Sequence, residues 1–182
     1  MKYLYTTCLL IVFLVLNCDG RKSQNEALKT SIAQFKAKAI IQNTYIPKTY
    51  HEIVTDSSLS NGFKTQVTLY TNMNIHMVRT VKRDKILNQV NYRSIQGEVT
   101  VWFKENVIFD KIIDKTLLKK ELAIPENDLN AYNLAGIWID QSYPLDNDLL
   151  RLDIEYRHID HNTSKSYKLL ISEKGNFRLI GT

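Results

Sequence analysis

The sequence predicts an α+β domain, an N-terminal helix packed on a mostly antiparallel, curved sheet of about six to eight strands with a short helical insertion. Three observations predict it. Apolar residues recur at helical spacing before residue 40, the period changes to two from Phe63 onward, and no glycine-rich strand-to-helix turn marks a doubly wound fold.

The helix rests on Leu28, Ile32, Phe35 and Ala39, spaced four, three and four apart along one face. Lys29, Gln34, Lys36 and Lys38 take the other faces, and Ala27, Ala33 and Ala37 favour helix intrinsically. Ser23 or Asn25 offers a cap. A single apolar stripe predicts a helix lying against a sheet and ending before Asn43–Pro47.

In Phe63–Met73 the apolar positions Phe63, Val67, Leu69 and Met73 alternate with Lys64, Gln66, Thr68 and Asn72, the pattern of a half-buried strand. Strands are expected at Ile75–Val81 and Gln89–Ile95. Val99, Val101 and Phe103 repeat the alternation, and Lys104-Glu105-Asn106 reads as a tight turn into Val107–Ile113. Asp114–Ala135 turns helical, with Thr116 as a cap for Leu117–Leu122 and Pro125 opening a second short helix. Beyond Gly136, strands are expected at Ile137–Tyr143, Leu149–Ile159, Ser166–Ser172 and Phe177–Ile180, the last two joined through Lys174-Gly175-Asn176. A cystatin-like or nuclear-transport-factor-like curl of the sheet is one architecture open to this order of elements.

The first residues speak to compartment. Lys2 precedes Leu4–Leu16, about 13 mainly apolar residues, the length of a secretion h-region and short of a bilayer span. Leu14-Val15-Leu16-Asn17-Cys18 resembles the lipobox of bacterial lipoprotein signals, with Val15 three positions before the acceptor Cys18 and Asn17 in place of the usual small residue. The expected organisation is a signal peptide over 1–17, a lipidated tether over 18–25 and one domain over 26–182. An ordinary cleaved signal is the alternative. Lipidation at Cys18 implies a membrane partner through the anchor and a domain in the cell envelope facing the periplasm or exterior.

The chain's cysteines are Cys8 and Cys18. With Cys8 in the signal and Cys18 acylated, the domain has no thiol, which excludes disulfides, cysteine nucleophiles and cysteine-bound metals. The net charge is +5, and the basic run Arg79, Lys82, Arg83 and Lys85 is broken by Asp84. In an exported protein such a run reads as a solvated loop or a weak attraction to an anionic surface, and no nucleic-acid partner is expected.

Candidate chemistry centres on Asp153, Glu155, His158, Asp160 and His161. Parity places Leu150, Leu152, Ile154, Tyr156 and His158 on the core face and Asp153 and Glu155 opposite, between Arg151 and Arg157, as self-paired charges. His161 has the other parity from His158, so the two do not form a ligand pair. His51 and His76 stand alone. No Gly-x-Ser-x-Gly or Ser-x-x-Lys pattern activates a serine. Asp140, Asp146 and Asp148 lack the glycine and terminal glutamate of a calcium loop. No cofactor or metal is expected. Trp102, Trp138, Tyr70 and Tyr92 are the aromatics placed on outer strand faces, where they suit a sugar or peptide.

The Val-Leu-Asn-Cys end of the signal, the segment Asn61–Met73 and the closing Lys174-Gly175-Asn176-Phe177-Arg178-Leu179-Ile180 resemble those of uncharacterised lipoproteins of Bacteroidota, a domain-of-unknown-function class. The resemblance implies envelope attachment and transfers no functional residue. Three functions remain open: a non-enzymatic domain binding an envelope protein, peptide or glycan; a small hydrolase using Asp140, Asp153 or Glu155; and a carrier of an apolar ligand lined by Phe63, Leu69, Phe103 and Ile154.

Overall fold

A computed structural model of the chain describes residues 24–37, 40–83, 86–125, 127–142, 144 and 148–182. Residues 1–17, read above as a signal peptide, Cys18 and the capping position Ser23 lie outside the described residues. The chain divides into two units, Met1–Ile41 with Lys82–Leu87, and Gln42–Val81 with Asn88–Thr182.

In the first unit helix α1 spans Gln24–Ala37. Its early turns carry the expected stripe, yet Leu28 is 58% and Ile32 43% exposed. No helix among the described residues is long and apolar enough to cross a membrane.

The strands fall into two sheets. The first contains β1 (Ile40–Ile46), β2 (Glu52–Ser58), β3 (Phe63–Arg83), β4 (Ile86–Phe103) and β5 (Asn106–Ile113), in the order β1-β4-β3-β2 with β5 also on β4. The second is a meander of β6 (Tyr132–Ile139), β7 (Leu149–His158), β8 (Ser164–Ser172) and β9 (Phe177–Gly181) in sequence order. All the recorded pairings in the second unit are antiparallel.

The alternation read from sequence builds the core of the second unit. Phe63 and Val67 from β3, Val99 and Val101 from β4, and Phe109 and Ile113 from β5 meet Leu150, Leu152, Ile154 and Tyr156 from β7 and Tyr167, Leu169 and Ile171 from β8 in one hydrophobic cluster. Helix α2 (Lys115–Leu122) adds the fully buried Leu118. Its N-cap is Asp114, whose carboxylate accepts from the Leu117 N–H at 2.8 Å. That places the cap two residues before the expected Thr116, because a carboxylate at the N-terminus offers both an acceptor and a charge matched to the dipole.

The α+β expectation is overturned. The chain is mostly β, with two helices among the described residues, and no N-terminal helix packs on a sheet. In the second unit one sheet covers the other, and their side chains fill the core that the helix was expected to close. Nine strands are present among the described residues, against the six to eight expected, and β1 and β2 went unrecognised. Pairs of expected strands are continuous, Phe63–Met73 running into Ile75–Val81 as β3 and Gln89–Ile95 into Val99–Phe103 as β4. The second short helix expected at Pro125 is replaced by turns at 127–131 among the described residues. β6 begins at Tyr132, five residues ahead of expectation, with a bulge between Leu134 and Gly136 that hides the simple alternation.

Candidate functional site

A concavity opens where β2, at the edge of the first sheet, meets β6, at the edge of the second. Thr55 and Ser57 of β2 lie opposite Val67 and Thr65 of β3, so these four side chains share one face. With Ile137, Trp138 and Ile139 of β6, then Gln141 and Ser142 just beyond it and Asp153 of β7, they line a cavity of about 520 Å³. A second cavity of about 580 Å³ shares Ser57, Ile139 and Gln141 and reaches Leu59, Asp140 and Pro144. Volumes in this range suit small ligands and short segments of larger ones.

Trp138 lies opposite Asp153 on the outward parity of the second sheet and is 46% exposed. Its indole folds back over Gly136, where a Cβ would lie 2.5 Å from the ring. Glycine there gives the indole a flat seat and leaves part of it open to solvent.

The charged part of the site is a clamp. Lys168, on β8 opposite Asp153, places its ammonium in contact with Asp140 and 3.2 Å from an Asp153 carboxylate oxygen. The Asp140 side chain is 0% exposed and also accepts from the Ser142 N–H at 2.8 Å. The Lys168 hydrogen bond, followed by that backbone N–H, holds the Asp140 carboxyl below the usual carboxylate range. The same bond to Asp140 raises Lys168 above the usual lysine value, against the opposing effect of desolvation. Asp140 therefore fixes the first turn beyond β6 and, through Lys168, the carboxylate of Asp153.

The remaining candidates do not converge here. Glu155 pairs with Arg157 at 3.3 Å. His158 uses Nδ1 to accept the N–H groups of Asp160 and His161, each at 3.1 Å, and packs edge-on against Tyr132. It pins the β7–β8 turn, and Arg79 ties Asp160 down from outside. His51 sits beside Thr49, and His76 packs edge-on against Tyr45. Among the described residues no three His, Cys, Asp or Glu side chains gather as a metal-ligand set.

Of the four aromatics singled out, Trp138 alone lines the cleft. Trp102, Tyr70 and Tyr92 take the parity opposite the buried residues of β3 and β4, on the outer face of the first sheet. Lys64 lies over the Trp102 ring at 6.0 Å, and burial beside Glu98 and Asp114 raises the Tyr70 phenol. Phe63 and Ile154 are fully buried and Leu69 and Phe103 pack on the same cluster, so the residues named for an apolar cavity belong to the hydrophobic core.

Sequence reading missed Thr55, Thr65, Gln141, Ser142 and Lys168. The alternation Ile53-Val54-Thr55-Asp56-Ser57 is too polar to announce a strand, and Lys168 reveals its role only through its pairing with Asp153. No protein-family model matches the chain, and no curated protein matches it either.

Proposed function

We propose that the chain is a lipoprotein anchored at Cys18 in the cell envelope, and that its β domain holds a partner in the cleft beside Trp138 without chemically changing it. The observation that carries the binding reading is the cleft's own inventory. Hydroxyls of Thr55, Ser57, Thr65 and Ser142, the Gln141 amide and a half-exposed indole line it. These groups hydrogen-bond and stack, and none is a nucleophile with a base beside it in the recorded hydrogen bonds.

The convergence of Asp140 and Asp153 raises the hydrolase alternative, and the clamp argues against it. A general acid must keep its proton at working pH. Asp140 is shifted in the opposite direction, with the Lys168 ammonium bonded to its carboxylate.

The test uses the full chain with Trp102→Phe, which leaves Trp138 as its single indole. Envelope oligosaccharides and extended peptides are titrated while acrylamide quenching is followed, and each probe is then recovered and weighed. One class is expected to shield Trp138 and return intact, and Trp138→Ala should weaken it by about tenfold or more. Recovery of cleaved probe, lost again in Asp153→Asn, would replace binding with hydrolysis. For the anchor, metabolic labelling with an alkyne fatty acid should mark the chain and leave Cys18→Ala unmarked. A Cys18→Ala chain that still takes up label and sediments with membranes would refute that part.

A further inference from the structure

We infer that the occupant of the cleft is an extended polypeptide strand carrying a basic residue, which adds to the open edges of β6 and β2. This rests on the binding reading above and names the ligand class.

The backbone supplies the argument. In an antiparallel ladder, residues that exchange hydrogen bonds with the neighbouring strand alternate with residues whose N–H and C=O point away. The Asp140 N–H donates to the Arg151 carbonyl at 3.0 Å, so Asp140, and two residues back Trp138, face β7. Ile139 and Ile137 between them turn their backbone groups to the other side, toward the cleft. On β2 the Thr71 N–H donates to the His51 carbonyl at 2.9 Å, and the Leu59 N–H donates to the Phe63 carbonyl at 2.8 Å. The odd-numbered residues therefore face β3, and Val54 and Asp56 direct theirs to the open side.

β2 and β6 each have one strand neighbour among the described residues. Two sets of donors and acceptors thus flank one cavity, each repeating about every 6.6 Å, which is the two-residue repeat of an extended polypeptide. Exposed edges are ordinarily blunted with lysine or proline. The β6 edge Leu134-Ala135-Gly136-Ile137-Trp138-Ile139 carries neither a charge nor a proline. The short side chains of Thr55, Ser57 and Thr65 keep the floor low, while Ile137 and Val67 offer apolar contact.

Charge selects further. Two acids line the cavities, Asp153 the first and Asp140 the second, and both contact Lys168. A Lys or Arg on the incoming strand complements them.

The probe is a library of random peptides of about ten residues, each with one fixed lysine, panned on the full chain. Binders are expected, and N-methylation of alternate residues in either parity should weaken the best of them by about tenfold or more. In hydrogen exchange the bound peptide should slow the amides of Val54, Asp56, Ile137 and Ile139. Val54→Pro removes one outward donor at a position where an edge strand tolerates proline, so it should keep the fold and lose the peptide. Should that variant fail to fold, the N-methyl series and the exchange pattern still decide. Binding that ignores N-methylation, or that leaves those four amides unprotected, would overturn the inference. If only oligosaccharides shield Trp138, the strand inference falls and the binding reading stands. If neither class shields it, both fall.

Discussion

Gly175 and Gly62 both have left-handed backbones, with φ of 81° and 89°, yet replacing them should have unequal consequences. A non-glycine residue at such φ costs about 1–2 kcal/mol. At Gly62 that is the main cost, because an added Cβ would meet nothing closer than the Phe103 ring at 3.5 Å, an ordinary contact. At Gly175 the added carbon would lie 2.3 Å from the Ile108 carbonyl oxygen and 3.2 Å from its carbon. Those are backbone atoms of β5 and cannot swing aside. Gly175 also donates to the Ser172 carbonyl at 2.9 Å, closing the hairpin that carries Leu179 into the core and Phe177 against Phe109. Relieving the overlap means shifting this hairpin, a strain of about 1–3 kcal/mol on top of the backbone cost.

The expected losses are therefore about 1–2 kcal/mol for Gly62→Ala and about 2–5 kcal/mol for Gly175→Ala. In a chain of this size each kcal/mol moves Tm by roughly 2–4 °C, so urea and thermal unfolding followed by circular dichroism resolve the difference. Gly175→Asn separates the two contributions, since asparagine tolerates left-handed backbone but still brings a Cβ. It should fall between the two alanine variants. If Gly175→Ala proves no worse than Gly62→Ala, the close approach of the β8–β9 turn to Ile108 is wrong.

Three further outcomes follow from buried polar groups. The Tyr156 hydroxyl is buried in the core with no hydrogen-bond partner among the described residues, so Tyr156→Phe should stabilise the chain by about 1 kcal/mol in urea unfolding; a loss of stability would reveal a bond to that hydroxyl. Asp140 has a depressed folded-state pKa, so its contribution is present above the unfolded carboxylate value and fades as pH falls through the folded one. Asp140→Asn should accordingly be less stable than wild type at neutral pH and lose less on acidification, measured as urea midpoint against pH. Burial, helped by the Lys119 charge, brings the Lys115 ammonium down to about 8 from 10.5. Between those values the unfolded chain holds a proton the folded chain does not, so stability from this group rises with pH. Lys115→Met should flatten that rise, and an unchanged slope would show that Lys115 is solvated.

What sequence could disclose was the face of each strand. Parity assigned Leu150, Leu152, Ile154 and Tyr156 to the core and Asp153 and Glu155 to the other side, and all four apolar residues are buried. The same parity failed wherever the backbone broke step. The bulge between Leu134 and Gly136 shifts β6 by one residue, and its start was placed too late for that reason. β2 escaped notice because an edge strand needs few apolar side chains, and Glu52–Ser58 has two, Ile53 and Val54, both exposed. The helical period of α1 was legible, but an apolar stripe states only that a surface is available and not what covers it. Leu28 and Ile32 remain open to solvent while the two sheets of the second unit satisfy each other.

The same reasoning explains why the candidate site was the least legible part. Its distinguishing property is which backbone groups lack a strand neighbour, and every residue except proline carries the same N–H and C=O. Whether Ile137 and Ile139 point those groups at β7 or away from it depends on the ladder phase fixed by Asp140 and Arg151. A shift of β6 by one residue would turn Trp138 to the interior, while Asp153 and Lys168 would keep their face through the β7–β8 ladder. Asp140 anchors the charged clamp through its carboxylate, while its backbone N–H takes part in the ladder as that of any residue but proline would. Asp140→Ala keeps that N–H, so it should weaken a basic peptide in the cleft and leave exchange at Ile137 and Ile139 in place, whereas Lys168→Met should alter the charge preference.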